Sequence, residues 1–344
     1  MKLHTPKSKK SSQKPNNINL NKLSSTQQRV VLSQPIIEGP RQVGFDIYHG
    51  LSASLDMAPY LYIDNNTFVG HDAMHMKTSR QVEGRPGIAS ETFSAVEVLD
   101  TFLNKAKRIL TTHLGNVEEE SSPPLFLFLS LTSPHTPIVP SPEFQGTSLL
   151  GPYGDFVMQT DDVVGQVVST LRQLHALENT LVIFTSDNGF SRGALSNPAN
   201  AFRHPHSPSG VFRGRKGDIL EGGHRIPFVV HWPRYIRPNT VNKTPISLVD
   251  LFATFLDVTQ QPVRSMKNHG EDSATSLLPL FLDKSSRVLQ NYNVNNNANN
   301  NNIENSNNFT DWTKKQFIVH SMKGCFAIRE GKYLLALCSG SGGK

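Results

Sequence analysis

The chain has 344 residues, of which 37% are hydrophobic and 18% charged, and its formal net charge is +6. This composition is typical of a soluble globular protein, and no apolar run approaches the roughly 20 residues that a membrane-spanning helix needs. Much of the positive charge lies in the first fourteen residues (Lys2, Lys7, Lys9, Lys10, Lys14), so it favours a solvated tail over a nucleic-acid-binding surface.

The first 30 residues form a basic, Ser/Asn-rich leader. Such a segment buries too little apolar surface to offset the entropy that it would lose on ordering, so residues 1–30 are predicted to be disordered. A secretory signal peptide is not indicated, because only isolated Ile and Leu residues, and no continuous apolar run, follow the positive residues.

Residues 31–290 predict one large α/β domain. Some segments carry apolar residues at helical spacing, whereas others are short and almost wholly apolar, as buried strands are. The predicted elements in chain order are a helix at 91–114, the strand LFLFLSL at 125–131, a helix at 153–177, the strands LVIFTS at 181–186 and IPFVVHW at 226–232, and a helix at 246–258. This alternation favours right-handed crossovers and a mostly parallel sheet sandwiched by helices.

The C-terminal part differs from this domain in composition. Residues 291–308 are mostly asparagine and predict a flexible insertion. Residues 309–344 predict a small antiparallel sheet, in which Glu330-Gly331 forms a hairpin turn and Cys325 and Cys338 lie roughly opposite each other. Two interpretations of these cysteines stay open, a cross-hairpin disulfide and a pair of small buried thiols.

Reactive side chains follow the predicted strands, at the edge where ligands bind to parallel α/β sheets. His135 in SPHTP comes after the first strand, and Asp187 and Asn188 come directly after the second. Lys216 lies in the glycine-rich loop GRKGDILEGGHR, and Ser54 lies in GLSASLDMAPY. Taken singly, these residues also fit ordinary structure: a surface histidine, a DNG turn, a basic loop and an unremarkable serine.

Taken together and in this order, SLTSPHTP, FTSDNG and GRKGDILEGGHRIPFVVHWP resemble the sulfatases of the arylsulfatase A-like kind. The stretches GFDIYHGLSASLDMAPYLYI and GCFAIREGKYLLAL are similar to the same family. The resemblance covers residues 36–343 apart from the Asn-rich insertion. It implies an alkaline phosphatase-like fold and hydrolysis of a sulfate ester, carried by a small molecule or by a sulfated glycan.

The resemblance also implies a role for each of the five residues. Asp187 and Asn188 match the family's calcium ligands, and Lys216 matches the lysine that contacts the sulfate group. His135 matches the histidine that donates a proton to the leaving oxygen, so His135 and Lys216 are the expected catalytic residues. Ser54 matches a serine that some members place near the sulfate.

The family's nucleophile is a hydrated formylglycine made from the Cys or Ser of a C/S-x-P-x-R motif. Neither Cys325 nor Cys338 lies in such a motif, and no Ser-x-Pro-x-Arg, Asp-Asp pair or GKWHLG-like stretch is present. The resemblance therefore implies that these residues begin just downstream of the motifs. It also implies an incomplete calcium site and a chain that is inactive by itself.

Three other interpretations remain. A non-catalytic relative would keep the fold as an anion-binding or metal-binding protein. A phosphate-ester hydrolase of the alkaline phosphatase superfamily would show an early Thr or Ser nucleophile and further His and Asp ligands. A nucleic-acid-binding protein would use the basic leader as an arm. The family is usually exported or lysosomal, but the sequence itself makes no prediction of localisation.

Overall fold

The computed structural model describes residues 2–3, 20–72, 74–77, 84–115, 123–195, 202, 205–261, 275–282, 316–340 and 342. The chain divides into two compact units. The first comprises Met1–Leu174 and Ser191–His206, and the second comprises His175–Phe190 and Ser207–Lys344. The predicted Asn-rich insertion at 291–308 lies outside the described residues.

Small antiparallel sheets open the first unit. Their strands are β1 (Lys2–Leu3), β2 (Ile36–Glu38), β3 (His49–Leu51), β4 (Tyr62–Asp64), β5 (Thr67–Phe68), β6 (Met74–Lys77) and β7 (Gly87–Ser90). The pairs are β1–β2, β3–β4, β4–β5 and β6–β7. Buried apolar side chains from these strands, from the residue before β4 and from the helix that precedes β2 form one core cluster, namely Leu32, Ile36, Leu61, Ile63, Phe68 and Ile88.

Helix α1 (Ser25–Leu32) lies largely within the leader for which the sequence predicts disorder. Ser24 and Gln27 form a capping box, in which Gln27 N donates to Ser24 Oγ at 3.4 Å and Ser24 N donates to Gln27 Oε1 at 3.0 Å. The helix ends at Leu32, which is 1% exposed. The structure thus differs from the prediction here, because a cap and one anchored apolar side chain order a short segment of polar composition. Residues 1 and 4–19 lie outside the described residues.

Two long helices complete the core of the first unit. They are α2 (Val98–Leu114), which begins after the predicted start at residue 91, and α3 (Pro152–Gln173), which ends before the predicted end at residue 177. α2 buries the residues whose spacing predicted it, and the two helices pack through a second cluster, namely Leu99, Leu103, Ile138, Phe156 and Val163. No helix in the described ranges is long and apolar enough to cross a membrane.

The segment LFLFLSL at 125–131 has no regular secondary structure and belongs to no sheet formed by the described residues. Its side chains alternate in exposure, and Phe126 and Phe128 are 57% and 70% exposed. The prediction of a central parallel strand is therefore not met. A strand that is apolar on both faces belongs in the middle of a covered sheet, and no strand of the described residues pairs with this segment.

The second unit contains β8 (Val182–Thr185), β9 (Phe228–His231), and the helices α4 (Glu221–His224), α5 (Asp250–Val258) and α6 (Leu278–Phe281). β8 and β9 pair antiparallel, with Val182 opposite His231. The predicted parallel arrangement of these two strands is therefore wrong. The connection at residues 186–227 is long enough for a parallel return, but its described residues contain only single turns of helix, at Arg192–Leu195 and Glu221–His224, and not the longer helix that usually forms such a crossover.

The predicted C-terminal antiparallel sheet is confirmed. It consists of β10 (Gln316–His320), β11 (Phe326–Glu330) and β12 (Tyr333–Ala336), in the order β10-β11-β12. Gly331 adopts a φ of 54° in the predicted turn, a value that glycine adopts without strain. Cys325 and Cys338 form a disulfide with a Cα–Cα distance of 5.9 Å, which decides between the two interpretations of the cysteines.

A half-buried histidine, His49 on β3, packs in the first unit against side chains of β4 and α2. The His49 ring stacks on Tyr62 with centroids 5.5 Å apart and meets Phe102 edge-on. Its Nδ1 lies 3.6 Å from Asp64 Oδ1, which accepts a hydrogen bond from Lys105 Nζ at 3.0 Å. Burial lowers the pKa of His49, the Lys105 charge lowers it further, and Asp64 opposes the change.

Because the pKa of His49 is lower in the folded than in the unfolded state, the unfolded state binds the proton first on acidification. Stability is thus predicted to fall as the pH drops through about 6.5. The His49→Phe variant, which keeps a stacked ring and cannot titrate, should lose less stability between pH 7.5 and 5.5 when melting temperatures are compared. His231→Phe, at an exposed position on β9, is the matched control. Equal pH slopes for wild type and His49→Phe would contradict the prediction.

Candidate functional site

In the first unit, the structure brings Ser54 and His135 together although 81 residues separate them. His135 lies in the loop that follows the apolar segment 125–131, and its side chain is exposed. Its Nδ1 is 2.8 Å from the Thr136 carbonyl oxygen and 3.4 Å from Ser54 Oγ. A carbonyl oxygen can only accept, so Nδ1 carries the hydrogen of this contact and Nε2 remains available to a ligand.

In the second unit, Asp187 and Asn188 follow β8 directly. Asn188 Nδ2 donates to Asp187 Oδ1, and Ser186 Oγ donates to the Asn188 carbonyl at 2.9 Å. Asn188 Oδ1 is buried and has no hydrogen-bond partner in the described part of the chain. An amide oxygen without a hydrogen-bond partner, next to a carboxylate, gives two oxygen ligands that suit a hard cation such as Ca²⁺.

A metal site would need further ligands. Within the described ranges, no group of three or more His, Cys, Asp and Glu residues could hold a metal ion. Asp187 and Asn188 therefore fit calcium in the chemistry of their oxygens but supply only part of the roughly six to eight oxygens that calcium takes.

The loop that carries Lys216 is fastened to the end of β8. Lys216 N donates to the Phe190 carbonyl at 2.9 Å, and Gly189 N donates to the Gly223 carbonyl at 3.0 Å. The loop also closes on itself, since Gly222 N donates to the Arg213 carbonyl at 2.7 Å. The exposed Lys216 side chain is thereby attached, through backbone bonds, to the same turn that carries Asp187 and Asn188.

Glycines make this attachment possible. A Cβ atom on Gly189 would collide with the Gly222 carbonyl oxygen, and one on Gly222 would collide with the Gly214 carbonyl oxygen. A Cβ on Gly223 would meet the carbonyl oxygens of Asp218 and Arg215. The glycines of the DNG and EGG stretches are thus needed because backbone packs directly on backbone between the two.

Sequence reasoning missed the backbone partners of the site. The Thr136 carbonyl orients His135, and the Phe190 carbonyl holds the Lys216 loop. Neither group gives a signal in the sequence, because every residue has a carbonyl and only the fold selects which one is used. The glycine clusters around Lys216 were the one indication of a close backbone approach.

Comparison with known proteins gives a family. The family model described as Sulfatase matches residues 56–261. The N-acetylgalactosamine-6-O-sulfatase of Bacteroides thetaiotaomicron is 30% identical over 264 residues, which are 66% of this chain and 50% of that protein. The steryl-sulfatase of Rattus norvegicus is 44% identical over 131 residues, 38% of this chain and 22% of that protein. The chain thus matches at most about half the length of these relatives.

Solved structures give the fold. A Bacteroides thetaiotaomicron protein from a glycosaminoglycan-metabolism locus superposes with a TM-score of 0.65 at 24% identity, over 87% of this chain and 62% of that one. The PsFucS1 sulfatase from Pseudoalteromonas sp. superposes with a TM-score of 0.54 at 22% identity, over 71% of this chain and 49% of that one. The mixed α/β architecture described above is therefore of the kind found in sulfatases.

Proposed function

Because the chain belongs to the sulfatase family, we propose that it carries the sulfate-binding and proton-donating residues of an arylsulfatase-type sulfuric ester hydrolase. The observation that best supports this proposal is the hydrogen bond from Lys216 N to the Phe190 carbonyl. It connects the loop of Lys216 to the turn that carries Asp187 and Asn188. The lysine ammonium can offset the negative charge of a sulfate group, and the two hard oxygen ligands suit a divalent cation that would do the same.

Each residue has a part in the proposed chemistry. Lys216 binds the sulfate oxygens and offsets the negative charge that builds up as the ester bond breaks. His135 donates a proton from Nε2 to the leaving oxygen, while the Thr136 carbonyl keeps Nδ1 as the other donor. Ser54, whose hydroxyl lies 3.4 Å from Nδ1, orients the ring and offers a hydroxyl to the sulfate group.

Calcium is the proposed cofactor. Asp187 and Asn188 would hold the ion, the latter through its unpartnered Oδ1. When bound, a divalent cation neutralises negative charge on the sulfate group and polarises it for attack. Two oxygen ligands alone hold calcium weakly, so we propose that the site is incomplete in these 344 residues.

The substrate class follows from the relatives. Their names specify a sulfated amino sugar and a steryl sulfate. We propose that this chain, too, binds the sulfate ester of a sugar, within a sulfated glycan, or of a small hydroxylated molecule. Phosphate esters are disfavoured, because the family model and the curated relatives named above are sulfatases.

Turnover needs a nucleophile that these residues do not contain. The chain has only two cysteines, neither in a C/S-x-P-x-R motif, and no serine takes that place. We therefore propose that the 344 residues bind a sulfate ester without hydrolysing it. A non-catalytic anion-binding protein is the second candidate, and the same absent motif favours it.

The test uses 4-nitrophenyl sulfate and measures binding and hydrolysis in parallel, by calorimetry and by the absorbance of released nitrophenol. We expect saturable binding with no nitrophenol above the enzyme-free control. Raising free calcium from the level set by a chelator to about 1 µM should leave binding unchanged, since two ligands give a low calcium affinity. Release of nitrophenol that disappears in Lys216→Ala would show that another nucleophile operates and would overturn the proposed inactivity. Absence of any binding would overturn the proposed function.

A further inference from the structure

The C-terminal sheet contacts the Lys216 loop at two places within the second unit. Met322 N, in the turn between β10 and β11, donates to the Gly217 carbonyl at 3.0 Å. The Arg329 guanidinium, on β11, forms an ion pair with the Glu221 carboxylate at the start of α4. These contacts flank residues 218–220 of the loop, and the second lies directly before the two packed glycines Gly222 and Gly223. The sheet therefore contacts the loop at two points that both follow Lys216 in the sequence, Gly217 and Glu221.

The turn that carries Met322 is itself firmly held. Ser321 is 1% exposed, its N donates to the Cys325 carbonyl at 2.8 Å, and its Oγ accepts from Cys325 N at 3.1 Å. Cys325 is bonded to Cys338. The sheet can therefore serve as a fixed support for the loop rather than as a loose cover.

Glu221 has two cationic neighbours in different surroundings. The Arg329 and Glu221 side chains are 26% and 34% exposed, whereas Arg225, whose Nη1 lies 3.4 Å from Glu221 Oε2, is 60% exposed. An ion pair between side chains that are mostly shielded from water is screened less than one at the surface. Arg329, from 108 residues further along the chain, is thus the stronger constraint on Glu221.

We propose that Arg329 is a positioning residue: through Glu221 it holds the loop so that Lys216 stays in the conformation that binds a sulfate group. This inference rests on the proposed role of Lys216. Arg329 itself makes no contact with the sulfate. Its effect passes through Glu221 and the adjoining Gly222 and Gly223, which pack against the loop backbone.

The test is the affinity for inorganic sulfate, measured at constant ionic strength from the chemical shift of the Lys216 backbone amide. Arg329→Gln should weaken sulfate binding by roughly 3- to 10-fold, the range expected from losing one partly shielded ion pair. Arg329→Lys, which can still pair with Glu221, should recover most of the affinity. Arg225→Gln removes the same charge from the exposed partner and should leave the affinity unchanged.

Glu221→Gln separates positioning from simple charge. If Arg329 only attracted the sulfate through its positive charge, removing the negative charge of Glu221 would strengthen sulfate binding. A positioning role predicts instead that sulfate binding weakens in Glu221→Gln. A melting temperature equal to that of wild type would show that a variant changes the loop and leaves the rest of the fold intact. Wild-type affinity in Arg329→Gln, or tighter binding in Glu221→Gln, would overturn this inference and leave the proposed function standing. A wild-type Lys216 amide that does not respond to sulfate would overturn both.

Discussion

The Gly222→Ala variant is expected to melt at a temperature lower by about 5 °C or more, since overpacking against backbone costs about 3 kcal/mol. The added Cβ would collide with the Gly214 carbonyl oxygen and lie 2.9 Å from the Arg213 carbonyl oxygen. Both neighbours are backbone atoms, so no rotamer change can relieve the contact. The hydrogen bond from Gly222 N to the Arg213 carbonyl, at 2.7 Å, would be lost as the loop moves.

The matched control for this substitution is Gly165→Ala in α3, where an added Cβ has no heavy atom within 4 Å. Alanine favours the interior of a helix over glycine by about 0.8–1 kcal/mol, so this variant should melt at the same temperature or higher. Differential scanning calorimetry of the two variants compares the sites directly. Equal melting temperatures for Gly222→Ala and wild type would show that the loop backbone is not packed as described.

Replacing both cysteines, Cys325→Ser with Cys338→Ser, should destabilise the C-terminal sheet by about 3 kcal/mol. The disulfide closes a loop with a sequence separation of 13, and cross-linking a loop of that size lowers the entropy of the unfolded chain by about this amount at 25 °C. Amide hydrogen exchange of β10 to β12 should accelerate, because local opening sets exchange there.

Thiol titration and a neighbouring substitution serve as controls for the cysteine variant. The unreduced protein should show no free thiol with Ellman's reagent, since both cysteines of the sequence are bonded. Ser339→Ala, beside Cys338, should leave the exchange rates of the sheet as they are. Two reactive thiols in the unreduced protein, or unchanged exchange in the double variant, would contradict the prediction.

The long helices could be predicted from the sequence because their burial follows a simple periodicity. In α2, Val98, Leu99, Phe102, Leu103 and Ala106 are buried at the spacing that indicated a helix. The C-terminal hairpin was likewise predictable, since Gly331 provides the turn between two apolar strands.

Strand direction was not predictable in the same way. Apolar runs identified β8 and β9 as strands, but nothing in a run of Val, Ile and Phe specifies whether its neighbour is parallel. The direction depends on the connection, and here only single turns of helix occupy the described part of it. For residues 125–131, the apolar pattern predicted a sheet strand, yet pairing also needs neighbours that a single segment does not specify.

For the candidate site, the sequence singled out side chains, and the structure shows which groups contact them. His135, Asp187, Asn188 and Lys216 were predicted from the resemblance of their motifs, and their roles stay predictions. The contacts from the Thr136 carbonyl and from Arg329 were not predicted. The first comes from a backbone atom, and the second reaches Glu221 across 108 residues, a separation that no local pattern records.

The measurement that tests the central claim most directly is the affinity of Lys216→Ala for phenyl sulfate, determined by calorimetry beside wild type and Lys243→Ala. Lys243 is an exposed lysine of the same unit outside the loop, and its loss should not matter. If Lys216 binds the sulfate group, removing its ammonium should weaken binding by about tenfold or more, as expected for a charge-assisted contact. Equal affinities of Lys216→Ala and wild type would contradict the account.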